Sequence, residues 1–219
     1  MKTILCYGDS NTYGYDPATG RRYPADVRWT GVLRGLLGQD FSVIEEGCNG
    51  RTSVFLDPVE GWKRGIDYLR PCLNTHKPVD LVVLMLGTND LKVFYHASLE
   101  DIVNGVAELI DIIHDFTAEK QDYRAKVLLV APALIGEDIE NSPFNSDFDR
   151  TAIERSKGFA MAFEDLADRK GCLYFDAAKV AKVSELDQLH LSKEAHGNLA
   201  RGLYEVIKDY FGPSSKAIT

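Results

Sequence analysis

The sequence is short of basic charge. Its 25 Lys and Arg stand against 33 Asp and Glu, a net charge of -8, which leaves no positive field to attract nucleic acid or an anionic membrane surface. No CxxC pair occurs among the four cysteines Cys6, Cys48, Cys72 and Cys172. They are widely spaced, mostly inside apolar segments, and read as free, buried thiols rather than as a disulfide or metal framework. Long apolar runs are missing too, which excludes a membrane-spanning helix. The run from Ile4 to Tyr7, preceded by one lysine, is far too short for the core of a signal peptide, so a cytoplasmic setting is the expectation. Nor does any Pro/Gly/Ser-rich stretch, internal repeat or low-complexity tract divide the 219 residues. One domain over residues 1–212 is expected, with Pro213 to Thr219 as a frayed end.

What is present is an ordinary core composition, 45% hydrophobic and 26% charged, arranged in strict alternation. Short apolar runs at Thr3 to Tyr7, Phe41 to Glu45, Leu81 to Leu86, Val127 to Ala131 and Leu173 to Phe175 have strand character, mostly buried on both faces. Helical patterns lie between and after them, at about Thr30 to Leu37, Gly65 to His76, Leu99 to Phe116, Thr151 to Lys170 and Lys193 to Tyr210. The clearest begins at a capping pair, Ser98 and Asp101, and carries Ile102, Val106, Leu109, Ile110 and Ile113 as one apolar stripe. This alternation predicts an α/β fold, a three-layer α/β/α sandwich around a five-stranded parallel sheet of flavodoxin-like order. Three connections, Asn11 to Trp29, Gly47 to Gly61 and Pro132 to Arg150, are longer than such units need. All follow strands, so they converge on the carboxyl edge of the sheet, where ligands bind.

That edge collects the residues able to do chemistry. The first strand stops at Gly8 and delivers Asp9, Ser10 and Asn11 into a turn, which makes Ser10 a candidate nucleophile. Leu86-Gly87-Thr88-Asn89-Asp90 follows the third strand and offers the Asn89 amide as a donor, although the same residues could simply shape a turn. Gly47-Cys48-Asn49-Gly50-Arg51-Thr52 follows the second, and Gly47 and Gly50 compete to be the glycine whose bare backbone approaches a ligand. Asp187-Gln188-Leu189-His190 follows the last strand, with acid and imidazole in one local turn. A serine hydroxyl needs a base to take its proton, and that base works best when a carboxylate orients it; Ser10, His190 and Asp187 can fill those roles. The other histidines, His76, His96, His114 and His196, read as surface or packing residues.

In order and spacing, Gly8-Asp9-Ser10, Gly50, Gly87-Thr88-Asn89-Asp90 and Asp187-x-x-His190 resemble the four blocks of the SGNH, or GDSL-type, esterase and lipase superfamily, over nearly the whole chain. The longer runs Glu45 to Thr52, Asp57-Pro58 and Leu86 to Lys92 resemble its bacterial arylesterase branch. That resemblance implies a serine esterase acting on short acyl esters, aryl or acetyl, with a deacetylase of acetylated sugars or small metabolites as the alternative, and often a homo-oligomer. It implies Ser10 as nucleophile, His190 as base and Asp187 as its orienter, with the oxyanion held by the Ser10 and Gly50 backbone N–H groups and the Asn89 side chain. Three departures stand out: Asn11 in place of leucine, Tyr13 where tryptophan is frequent, and Gln188-Leu189 in place of Gly-Val or Gly-Ile. None removes a catalytic atom, so they are expected to bear on substrate. The serine follows the first strand, which disfavours the G-x-S-x-G elbow of α/β-hydrolases.

Such chemistry needs a small-molecule ester and no metal or organic cofactor. A dinuclear metal phosphoesterase is a poor fit, because only five histidines are present and no His-x-His pair. A flavodoxin-like module that cradles phosphate on Ser10, Asn11 and Thr12 would leave Asp187 and His190 without a role.

Overall fold

The computed structural model describes residues 1–212, so the frayed end expected at Pro213 to Thr219 lies outside the described residues. The five apolar runs form β1 (Lys2–Gly8), β2 (Phe41–Gly47), β3 (Leu81–Met85), β4 (Lys126–Ala131) and β5 (Leu173–Asp176). All neighbours pair in parallel, in the order β2-β1-β3-β4-β5. This is the flavodoxin-like order that right-handed crossovers favour. The register sets Gly8 opposite both Gly47 and Met85, so β1, β2 and β3 end level and their loops leave from one height.

Among the described residues seven α-helices connect and cover these strands: α1 (Ser10–Tyr13), α2 (Trp29–Leu37), α3 (Gly65–His76), α4 (Leu99–Gln121), α5 (Arg150–Lys157), α6 (Phe159–Lys170) and α7 (Lys193–Phe211). The pleat of β1 sends Ile4 and Cys6 into a core shared with Trp29, Leu33, Leu199 and Leu203, and Leu5 and Tyr7 into a second core with Leu69, Leu73, Ile102 and Val106. Thus α2 and α7 close one face of the sheet and α3, α4 and α6 the other. Burial on both faces holds for β1, β3 and β4. The edge strands β2 and β5 are instead mostly half-buried, because each has a neighbour on one side only. No helix among the described residues is long and apolar enough to cross a membrane.

Two helices differ from the periodicity reading. The stretch from Thr151 to Lys170 is broken at Gly158, onto which Leu99 packs directly, so it forms α5 and α6 rather than one rod. α4 starts at the expected reciprocal cap, in which Asp101 N donates to Ser98 Oγ at 3.1 Å and Ser98 N to Asp101 Oδ2 at 2.9 Å. It runs on past Phe116 to Gln121, whose amide bonds both the N–H and the carbonyl of Val79, at 2.9 and 2.7 Å. A polar last turn is held there by hydrogen bonds that apolar periodicity does not register.

Candidate active site

β1 ends in a turn that has room only for glycine. A Cβ on Gly8 would lie 2.1 Å from Thr12 Oγ1 and 2.8 Å from the Met85 carbonyl oxygen. Asp9 then caps α1, accepting from Asn11 N at 2.9 Å, and Ser10 is the first residue of that helix, only 6% exposed. Its backbone N–H is one of the donors a helix start leaves unpaired. Trp29, fully buried at the start of α2, fixes the turn from behind by donating its indole N–H to the Asn11 carbonyl at 3.0 Å.

His190 reaches this turn from the other end of the chain. Its Nε2 lies 2.9 Å from Ser10 Oγ, and its Nδ1 lies 2.7 Å from Asp187 Oδ2. With Nδ1–H donating to the carboxylate, Nε2 is left as the acceptor for the serine hydroxyl. Asp187 Oδ1 accepts from the backbone N–H groups of Leu189 and His190 at 3.1 and 3.0 Å, so the acid shapes the loop that carries its own histidine. The ring of Tyr15 lies against the imidazole at 4.1 Å between centroids, and Phe144 meets it edge-on at 5.3 Å. Both aromatics restrict the swing of His190. Neither stood out in the sequence, because contacts with residues so distant along the chain leave no local pattern.

Asn89 lies in the turn after β3, 5% exposed, and donates through Nδ2 to the Arg51 carbonyl at 3.2 Å. Gly50 lies beside it on the cavity wall, whereas Gly47, at the end of β2, is pressed against the Tyr13 backbone. The competition between those two glycines therefore favours Gly50. Asp90 is structural, since its Oδ1 accepts from Ser53 N at 2.8 Å and ties the β3 turn to the β2 loop. Burial pushes the Asp90 carboxyl up to about 7, the bond from Ser53 opposing and the charge of Asp9 adding. Burial likewise raises Asp9 to about 6, against the Asn11 N–H and the nearby His190 and Arg51. Arg51, 5% exposed, donates to the carbonyls of Gly8 and Glu46 and so joins β1, β2 and the Asn89 turn. No local pattern marks this arginine, because its burial and its partners arise only in the fold.

These groups open into a cavity of about 220 Å³ lined by Ser10, Tyr15, Asn49, Gly50, Lys63, Asn89, Lys92, Phe144, Asp147, Phe148, Leu189 and His190. Each of the three long connections contributes to it. Of the departures noted in the sequence, only Leu189 lines this cavity; the expectation that all bear on substrate is corrected. Asn11 faces the other way, its Oδ1 accepting from Leu191 N at 2.9 Å and its Nδ2 donating to the Leu189 carbonyl at 3.4 Å. Tyr13 is stacked under Arg22, with the guanidinium 4.6 Å from its ring centroid. Gln188 sits at φ 62°, a left-handed conformation that suits glycine. Its backbone carbonyl accepts from Gly136 N at 2.8 Å and its side chain from Asp138 N at 3.3 Å, which fastens the loop after β4 to the Asp187 loop.

The remaining histidines lie outside the cavity. His114 and His196 are buried, and burial, with the nearby His190 and Arg28, lowers His196 to about 4, so it stays neutral against the N–H of Trp29. His76 pairs with Glu46.

Residues 6–197 match the GDSL-like Lipase/Acylhydrolase family. Among solved structures, the M. smegmatis aryl esterase is 34% identical with a TM-score of 0.89, covering 95% of this chain and 99% of that one. Est24, a carbohydrate acetylesterase from Sinorhizobium meliloti, is 32% identical with a TM-score of 0.91, covering 96% of this chain and 100% of that one. A carbohydrate acetylesterase family member from the same organism is 36% identical with a TM-score of 0.87, over 95% and 98% of the two chains. No curated protein matches the chain in sequence.

Proposed function

Because this chain belongs to the family of GDSL-like lipases and acylhydrolases, we propose that it is a serine esterase that hydrolyses short-chain acyl esters through an acyl-enzyme. The observation that carries this reading is the continuous chain Asp187–His190–Ser10, with links of 2.7 and 2.9 Å. Ser10 Oγ attacks the ester carbonyl while its proton passes to His190 Nε2, and Asp187 stabilises the resulting imidazolium. The oxyanion is held by the Ser10 and Gly50 backbone N–H groups and by Asn89 Nδ2, a donor whose loss typically costs about 10² to 10³ in rate. The imidazolium then gives its proton to the leaving alcohol, and water repeats the sequence on the acyl-enzyme. Ser10→Ala should fold normally and lose both turnover of p-nitrophenyl acetate and stoichiometric labelling by an organophosphate. Wild-type turnover in a folded Ser10→Ala protein would overturn the assignment.

A deacetylase acting on acetylated sugars is the second reading of the same site. It is supported by Asn49, Lys63, Lys92 and Asp147 in the cavity wall, side chains suited to hydroxyl groups, and by the two similar carbohydrate acetylesterases.

We also propose that the chain self-associates. Leu56 and Val59 on the connection that carries Gly50, and Trp62 just beyond it, are 60%, 87% and 65% exposed, an apolar surface suited to a second copy. Sedimentation velocity should give an oligomer for the wild type and a smaller species for Trp62→Glu; a monomer in both cases rejects this.

A further inference from the structure

Outside the cavity, α3 and β2 bring together a thiol, an imidazole and a carboxylate. Cys72 and His76 are four residues apart on α3 and therefore share one helix face. That face lies against β2, where Glu46 stands near the carboxyl end. The Cys72 Sγ, a His76 ring nitrogen and a Glu46 carboxylate oxygen all lie within 4.8 Å of one another. An ordinary hydrogen bond accounts for His76 and Glu46, whose Nε2 and Oε1 are 2.7 Å apart. It does not account for the thiol at the third corner. We propose that Glu46, Cys72 and His76 form a site for a divalent cation of zinc type, separate from the ester chemistry, with its fourth position open to solvent.

The donor set is the argument for the class of ion. Sulfur, nitrogen and oxygen donors from three side chains suit zinc, whereas calcium and magnesium want oxygen alone. The geometry also provides an entrance. Glu46 and His76 are 19% and 24% exposed along their side chains, while Cys72 is fully buried at the base. Three charged or titratable neighbours, Arg51, Tyr68 and Tyr7, face the cluster. Burial, and then Glu46, push the Cys72 thiol up to about 12, and the cation would reverse this by taking the thiolate and releasing its proton. Arg51, whose guanidinium lies 4.2 Å from the Tyr7 ring centroid and 5.5 Å from that of Tyr68, favours the thiolate but repels the ion. Tyr68, on the same helix, stands beside Glu46 with its hydroxyl raised by burial and by that carboxylate. With three ligands and Arg51 opposing, the affinity should fall below that of a closed four-ligand zinc site.

The test is a cobalt(II) titration of the full chain, held reduced by a phosphine. Wild type should develop a near-ultraviolet thiolate-to-cobalt charge-transfer band, displaced by zinc. The band should be absent in Cys72→Ser, retained in Cys48→Ser, and shifted to about tenfold higher cobalt or more in His76→Gln and in Glu46→Gln. The last two change partly exposed residues, so they keep the test decisive even if Cys72→Ser fails to fold. Absence of the band at saturating cobalt in wild type, or a band that His76→Gln and Glu46→Gln leave unmoved, overturns the proposal.

Discussion

Asn11 follows the candidate nucleophile, yet its side chain serves the candidate base. It brackets His190 by accepting from Leu191 N and donating to the Leu189 carbonyl, bonds that span 180 and 178 residues of sequence. Truncation to alanine would leave the buried Leu191 N–H without a partner, a loss worth about 1–3 kcal/mol. The loop can recover part of this by moving toward water, and His190 would move with it. A displacement near 1 Å between reacting groups can cost about 10² in rate. Asn11→Ala should therefore lower kcat by about ten- to a hundredfold with little change in KM, since no atom of Asn11 lines the cavity. Steady-state kinetics on the folded variant decide this: an unchanged kcat removes Asn11 from the positioning of His190, and a pure KM effect makes it a binding residue. Gln188 makes a related point from the backbone side. Its left-handed conformation carries a cost of about 1–2 kcal/mol for a residue with a Cβ, offset by side-chain bonds to Asp138 N and the Glu185 carbonyl that glycine could not make.

At the scale of elements, the level ends of β1, β2 and β3 and the connections leaving the sheet decide the size of the pocket. The loop after β4 contributes Phe144, Asp147 and Phe148, the loop after β1 contributes Tyr15, and the β2 connection contributes Asn49 and Gly50, with Lys63 just beyond. Apolar wall is thus interleaved with charge in a space of about 220 Å³. Each buried methylene gains about 0.8 kcal/mol only while apolar surface remains to receive it. For p-nitrophenyl esters from acetate to dodecanoate, kcat/KM should peak between acetyl and butyryl and then fall; a maximum at octanoate or beyond contradicts this reading of the walls. The elements themselves were largely legible, because the strand runs and the 3.6-residue stripes are properties of contiguous sequence. The break at Gly158 was not, since the apolar pattern continues through it and the close approach of Leu99 to this glycine exists only in the fold. α1 was hidden for a different reason: Ser10–Tyr13 is too short to show a period. At the site, the candidate residues Ser10, Asn89, Asp187 and His190 stand out in local motifs. Tyr15, Trp29, Arg51 and the true orientation of Asn11 could not, because their partners are brought close only by the fold.

For the whole molecule, acidity is a burden as well as a solubility device. A chain of net charge -8 buries Asp9 and Asp90 near each other behind the site, 1% and 0% exposed. Desolvation raises Asp90 to about 7 in the folded state, while in the unfolded chain an aspartate titrates near 3.9. Between those values the folded protein holds a proton that the unfolded chain has released, so the native state binds more protons and stability falls as pH rises. Below the unfolded value both states are protonated and the penalty vanishes; above about 7 both are ionised and the penalty is complete. Asp90→Asn keeps an oxygen to accept from Ser53 N and removes the charge. Its stability relative to wild type should therefore grow by about 2–4 kcal/mol between pH 4 and pH 8 and then level off. Urea unfolding of both proteins at half-unit steps of pH checks this. A stability difference that stays constant across that range would mean that Asp90 ionises as readily folded as unfolded, and the burial argument for this carboxyl would be wrong.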